Sequence, residues 1–312
     1  MTTAKATSPG ATTLPSVPRR SIISVVEDLL PKIVLAPTTL VAMIFIYGFI
    51  LWTAWISFTK SRMLPRYDLA GFFQYVKLFT NDRWWVACKN LVIFGGLFIA
   101  ICIVLGLLLA ILLDQKIRVE GALRTIYLYP MALSFIVTGT AWKWILNPSL
   151  GLERLVHQMG FTHFTFDWLV NSKMAIYTVV IAGVWQSSGF VMALFLAGLR
   201  GIDDAIIKAA QVDGASLPRI YRRIIIPSLR PVFFSAVIIL GHIAIKSFDL
   251  IVVLTRGGPG YASDVPATFM YTFAFTRSRL GFGAASAMVM FCGVMAIIVP
   301  YLYSELRSKS NG

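Results

Sequence analysis

Charge is what this sequence has least of. Asp, Glu, Lys and Arg make up 13% of its 312 residues, roughly half the share usual in a soluble domain. Only 14 residues are acidic. With 57% hydrophobic residues and a positive mean hydropathy, that scarcity excludes an ordinary soluble chain. Cysteine is nearly absent too. Cys88, Cys102 and Cys292 lie in or beside apolar runs without ligand-like spacing, which predicts plain packing. His157 and His163 stand in a loop without a carboxylate or cysteine cluster, so no metal site is expected. No phosphate-binding loop is complete: GHIAIKS, residues 241–247, lacks the glycine before its lysine and sits inside an apolar run, where no strand-to-helix turn can offer N–H groups to phosphates. No GxSxG elbow or HExxH helix is present either. The expectation is a chain that is not an enzyme, holds no cofactor and binds no nucleic acid, with any ATP chemistry on another subunit.

What the sequence has in quantity is long apolar runs. A helix needs about 20 apolar residues to cross a hydrocarbon core. Six runs qualify, at residues 33–58, 90–113, 125–146, 175–199, 232–254 and 282–303. The alternating pattern of a membrane barrel is missing, and only helices otherwise satisfy every backbone group in lipid. The fold class is therefore an all-α membrane protein, a bundle of six transmembrane helices. Residues 1–31 are rich in Ser, Thr, Pro and Ala and lack an apolar core, which predicts a flexible tail that is not cleaved. The membrane domain follows over 32–305 and a short tail over 306–312. With an even number of spans both termini share one side. Basic residues number 15 on that side and 11 on the other, the latter concentrated in the long first loop, 59–89. The bias puts the termini in the cytoplasm.

One polar stretch interrupts the lipid-like sequence. KAAQVDGASLPRIYRRIIIP, residues 208–227, lies within a loop at 200–231 that is too polar to span and too apolar for a solvated linker. Asp203 can cap a short helix with Ile206, Ala209, Ala210 and Asp213 on one face. Gly214 permits a break. Ser216 can cap a second helix with Pro218 near its start, Ile220 and Ile224 on one side and Arg219, Arg222 and Arg223 on the other. Pro227 and Pro231 then bend the chain into the fifth span. A basic amphipathic loop on anionic headgroups is one reading. The small side chains of Ala209, Ala210, Gly214 and Ala215 favour another, a lever seated in a partner's groove.

The order Ala209-Ala210, Asp213-Gly214-Ala215, Ile224 and Pro227 resembles the EAA signature of permease subunits of binding-protein-dependent ABC importers. It is most similar to the carbohydrate branch, which includes the larger maltose permease subunit, and leans towards glucose- and mannose-type permeases. RTIYLYPMALSFIVTGTAWKWILNPSLGL, residues 124–152, and KSFDLIVVLTRGGPG, residues 246–260, resemble the family's third and fifth spans. The resemblance covers roughly 30–305. Lys208 departs from the signature's glutamate, and Tyr221 and Ile226 replace phenylalanine and leucine, so an ion pair made by that glutamate does not carry over. The resemblance implies the type I importer permease fold, in a bacterial cytoplasmic (inner) membrane. Lys208, Ala209, Ala210, Asp213, Gly214, Ala215, Tyr221, Ile224 and Pro227 would couple to a separate ATPase. Expected partners are two ATP-binding cassette subunits, a second homologous permease, an extracytoplasmic solute-binding protein, membrane lipid and a sugar, a monosaccharide such as glucose or mannose.

Polar residues inside spans usually face the bundle interior or water. Lys143, Asn147, Trp185, Gln186, His242, Lys246 and Asp249 are the candidates for a sugar path. Lys246 and Asp249, three residues apart, could instead form a local pair. Tryptophans near span ends are usual anchors, and Ser187, Ser188 and Gly189 could serve close helix packing. Gly257, Gly258 and Pro259 must turn tightly, and the resemblance makes them a contact for the binding protein. A secondary transporter or channel for a small polar solute is the alternative. It would need inverted repeats or coordinating carboxylates, and Asp249 is the only acidic residue well inside a span. A membrane scaffold would have no use for the small-residue lever.

Overall fold

The computed structural model describes residues 22–115 and 118–310, and its contacts divide the chain into two units, 1–52 and 53–312. Helix α1 (Ile22–Ser57) makes up the described part of the first unit as far as Trp52 and contains Pro31 and Pro37. The tail expected over 1–31 lies outside the described residues as far as position 21. From Ile22 the backbone is already helical, because IISVV at 22–26 carries the apolar sequence back beyond the expected start of the span. At the other end helix continues to Ser310, and residues 311–312 lie outside the described residues.

The second unit runs through α2 (Phe73–Phe79), α3 (Asp82–Leu113), α4 (Glu120–Leu128), α5 (Phe135–Ile145), α6 (Leu152–Gln158) and α7 (Ala175–Arg200). It continues through α8 (Asp204–Val212), α9 (Leu217–Ile220), α10 (Ile226–Ser228), α11 (Arg230–Ile245), α12 (Phe248–Leu254), α13 (Pro266–Tyr271) and α14 (Leu280–Ser310). Four segments are long and apolar enough to cross a membrane unbroken: Leu30–Ser57, Asp82–Leu113, Ala175–Arg200 and Leu280–Pro300. Two bent pairs bring the number to six.

The third span corrects the sequence reading. In place of one helix over 125–146, Glu120–Ala132 and Phe135–Ile145 meet at 100°. Pro130, buried in a 3-10 turn at Tyr129–Ala132, cannot continue the helix, and Leu133 and Ser134 are extended. Ser134 then caps α5 by accepting from the Val137 N–H at 3.3 Å. The fifth span also divides. It stops at Lys246 and restarts at Phe248, and the Ser247 hydroxyl, buried at the joint, donates to the Ala244 carbonyl at 2.7 Å.

The centre of the second unit is α3 against α7. Phe94 and Phe98 stack at 5.4 Å, and Gly183 faces Phe98 so closely that a methyl group there would sit 3.3 Å from its ring. Gly106 lies tighter still on Val191, where a methyl group would come within 2.6 Å. Small residues let helices approach where lipid supplies no hydrophobic drive. Gly95 on α3 meets Ala244 on α11, and Gly139 on α5 meets Val253 on α12 by the same device.

Candidate functional site

The loop at 200–231 leaves the bundle as two short helices with a sharp turn between them. Asp203 caps α8 by accepting from the Ala205 N–H at 2.8 Å. The helix closes with the Ala215 N–H on the Ala210 carbonyl at 3.0 Å, while Gly214 holds a φ of +75° that favours glycine. Ser216 starts α9 with its backbone carbonyl, which accepts from Arg219 and Ile220. Its side chain makes no capping bond. Tyr221–Ile225 forms a wider π turn before α10, ending two residues ahead of Pro227, whose ring would crowd the Arg223 carbonyl in a regular α-helix. The chain bends by 61° at Leu229 into α11.

The two faces of this loop differ. Ile207, Ala210, Ala215, Tyr221 and Ile224 pack on the bundle core, and Ile220 and Ile225 are buried within it. Outward point Ile206, 51% exposed, Val212, 88% exposed, and Leu217, 61% exposed, with Ala209, Lys208 and Asp213 also exposed. The single face expected for Ile206, Ala209, Ala210 and Asp213 thus splits, with Ala210 turned inward. Arg219, Arg222 and Arg223 are exposed around Pro218.

The base of the loop is packed directly against the spans. A methyl group on Gly198 of α7 would lie 2.8 Å from Leu229 and from Val232, so α7 and the start of α11 touch directly. Close-packed interiors transmit displacement. Arg200 ends α7 with Nη2 2.6 Å from Glu120 Oε1 and Nε 3.7 Å from Asp114 Oδ1, tying in the ends of α3 and α4. That three-way ion cluster was missed by the sequence reading, since its members are far apart in the chain.

The candidate path residues separate into groups. Gln186, 5% exposed, donates from Nε2 to the Leu133 carbonyl at 2.7 Å, replacing a backbone bond lost at the break in the third span. Its Oε1 has no hydrogen-bond partner among the described residues. Gly189 follows on the same helix, where any Cβ would collide with the Tyr127 carbonyl oxygen. Asn147 accepts from the Ser149 and Leu150 N–H groups at 2.9 and 3.1 Å and so shapes a turn. Trp185 meets Trp142 edge-on at 5.9 Å beside an open, mainly apolar groove of about 560 Å³. His242, Lys246 and Asp249 are all exposed along α11 and α12, and Lys143 is half-buried on α5. Lys246 and Asp249 form no ion pair among those found in the described residues, because the break at Ser247 removes the continuous turn that would align them.

The opposite end holds the Gly257-Gly258-Pro259 turn. Thr255, Gly257 and Gly258 are knotted to Ser263, whose hydroxyl donates at 2.8 Å to the Gly258 carbonyl. Gly257 is buried at a φ of +80° against Asp264, while Gly260 and Tyr261 are exposed. Asp264, 1% exposed, pairs with Arg83 at 2.6 Å, and Asn90 donates to the Asp264 carbonyl at 2.9 Å. Arg83 also lies over the Tyr261 ring at 4.3 Å. These contacts fasten the turn to the start of α3. Sequence alone offered no signal for a pair whose members stand so far apart.

Apolar helices of membrane-spanning length with a polar two-helix loop between the fourth and fifth spans define the class of helical membrane transport subunits. This chain belongs to the family of binding-protein-dependent transport system inner membrane components, which it matches over residues 102–308. It is 40% identical over 286 residues to a probable ABC transporter permease protein of Pyrococcus horikoshii, covering 90% of this chain and 98% of that one. It is also 40% identical to the xylose/arabinose import permease protein XacH of Haloferax volcanii, covering 81% and 80% of the two chains. Identity to the trehalose/maltose transport system permease protein MalF of Thermococcus litoralis is 30%, covering 88% and 93%. The fold matches a chain of a bacterial ABC transporter involved in alginate import, with a TM-score of 0.77, 23% identity and coverage of 92% and 98%. The bundle is thus of the type I ABC importer permease kind.

Proposed function

We propose that this chain is the permease subunit of an ATP-driven importer that moves a monosaccharide, such as glucose or mannose, into the cytoplasm by alternating access. One observation carries this reading: Ile206, Ala209, Val212 and Leu217 form an exposed apolar ridge on a loop too polar to enter lipid. Water is a poor partner for such a ridge, and a groove on an ATPase is a good one. Two ATPase subunits hydrolyse the ATP, so this chain is itself no enzyme. A second, homologous permease completes the path, and an extracytoplasmic binding protein delivers the sugar near Pro259 and Gly260. Both termini lie in the cytoplasm of a bacterial inner membrane.

Closure of the ATPases displaces α8 and α9. The inward face of the loop and the Gly198 contact pass the displacement to α7 and α11. Their movement changes which side of the membrane reaches the exposed face bearing His242, Lys246 and Asp249, where hydroxyl groups of a sugar find donors and an acceptor. Relatives named for xylose/arabinose and for trehalose/maltose support a sugar, and the greater identity to the former favours a monosaccharide.

The test is co-purification from the native host in mild detergent, native chain against Ala209→Trp, followed by uptake of labelled sugars into vesicles holding the recovered assembly. The expected result is an ATPase that accompanies the native chain, is lost with tryptophan, and drives monosaccharide uptake. Failure of any ATPase to accompany the native chain, even after cross-linking, would overturn the importer reading. Uptake of disaccharides alone would overturn the choice of sugar.

A further inference from the structure

Five cations line one hollow at the end of the bundle opposite the 200–231 loop. Lys60, Arg62, Lys77, Arg277 and Arg279 border a pocket of about 550 Å³, and no acidic residue among the described residues lines it. The ion pairs found among those residues use only Arg83 and Arg200 as cations. Two of the five rest instead on aromatic faces: Lys77 Nζ is 5.8 Å from the Phe282 ring centre and Arg277 Cζ is 4.8 Å from that of Phe273. A ring face positions a cation without neutralising it.

The walls are fixed by backbone contacts. The Gly281 N–H donates to the Ser61 carbonyl at 2.9 Å, the buried Gln74 Nε2 to the Thr59 carbonyl at 2.9 Å, and the Arg279 N–H to the Phe273 carbonyl at 2.8 Å. The hollow therefore holds like charges together, and their repulsion is relieved by an anion with several oxygens. Arginine forks suit phosphate in particular.

Depth in the membrane identifies the source of that phosphate. Lys60 lies three residues beyond the end of α1 at Ser57, and Arg279 directly precedes α14 at Leu280. Span ends sit at the level of lipid headgroups. Met63 and Phe73, both exposed, line the same hollow and offer apolar contact beside the charge. We propose that this pocket binds the phosphate headgroup of an anionic phospholipid, in the outer leaflet given the proposed orientation. Such a ligand also gives Lys60, Arg62 and Lys77 a purpose in the long first loop, whose positive charge runs against the topology bias.

The experiment is native mass spectrometry of the detergent-solubilised assembly exchanged into phosphatidylglycerol or phosphatidylcholine, for the native chain and for the double variant Arg277→Gln, Arg279→Gln. Each cation near a membrane surface is worth about fivefold in attraction. The expected result is a preference for phosphatidylglycerol that falls roughly 30-fold in the double variant. A second pair, Lys60→Ala with Lys77→Ala, removes the same charge from the other wall and is expected to lower the preference about as far, which covers the case of an arginine variant that fails to assemble. The idea is overturned by an absence of preference in the native chain, or by a preference that neither pair changes. Displacement of the lipid by inorganic phosphate at equal concentration would overturn the lipid source. Loss of binding-protein association in the glutamine variant with lipid preference intact would assign the pocket to a protein partner instead.

Discussion

At Gly189 the chain leaves no room for a methyl group, whereas at Gly214 nothing lies within 4 Å of where one would go. Gly189 sits where α7 crosses the break in the third span, and its hydrogen is what lets the helix touch the Tyr127 backbone. Gly214 sits at the outer turn between two helices whose inner faces pack on the bundle, and its positive φ is the only demand made there. One region is closed by contacts within the chain, and the other is shaped by local turn chemistry and left open for contacts from outside. Under the proposed function the subunit needs both: rigid spans to carry a displacement, and an unfilled surface to receive it.

The sharpest way to break this comparison is to add volume at both glycines. Gly189→Leu is expected to abolish the folded state, because backbone rather than a flexible side chain occupies the space. Its cost should exceed the ~3 kcal/mol that ordinary overpacking reaches. The readout is yield of monodisperse protein in detergent. Recovery of a well-behaved Gly189→Leu protein would show that the two helices can separate and that the region is not closed at all.

The second prediction concerns the buried ion pair at the other end. Asp264→Ala leaves the Arg83 guanidinium without its carboxylate and removes the anchor of the Gly257 turn. Breaking a buried pair on one side costs about 3–5 kcal/mol. A large fall in the thermal midpoint is expected, with smaller loss in the double variant Arg83→Met, Asp264→Leu, since no lone charge is then buried. Equal losses in the single and double variants would mean that the pair gives the turn its geometry by some means other than charge compensation.

How much of this was legible beforehand divides along the same line. The 200–231 loop was readable because its signals are local: Asp203 before a helix, Gly214 at its end, and Ser216 and Pro218 at the start of the next. Four spans were readable from apolar length alone, and the other two only as apolar stretches, without their bends. Gln186 was read as a polar group on the sugar path, yet it serves the backbone at Leu133, which no one-dimensional pattern reveals. Pro130 carries a signal for the bend, but it lies inside an unbroken apolar run that reads as one span. The pair of Arg83 and Asp264 and the cluster around Arg200 depend on which spans become neighbours, and hydropathy does not encode that.

A third variant isolates local shape. Gly214→Ala forces an L-residue into a left-handed conformation and is expected to cost about 1–2 kcal/mol, while Gly214→Asn, which tolerates that region, should cost less. Thermal unfolding of the two side by side measures the difference. If alanine were tolerated as well as asparagine, the turn would have to relax to a negative φ, and the angle between α8 and α9 would not be fixed by this residue.

The smallest expected effect on stability is the most informative about function. Val212 is 88% exposed and makes almost no use of the bundle, so Val212→Ser should leave the thermal midpoint within the change typical of a surface site, about 0.5 kcal/mol. Under the proposed function the same substitution removes apolar area from the ridge that seats in the ATPase, at a cost of about 1 kcal/mol or more of the association. Measuring subunit affinity and thermal midpoint on one preparation separates the two quantities. A loss of affinity without a loss of stability is the signature of a surface kept apolar for a partner. Unchanged affinity would mean that Val212 is merely tolerated in water, and the docking face would then have to be sought among the arginines at 219, 222 and 223.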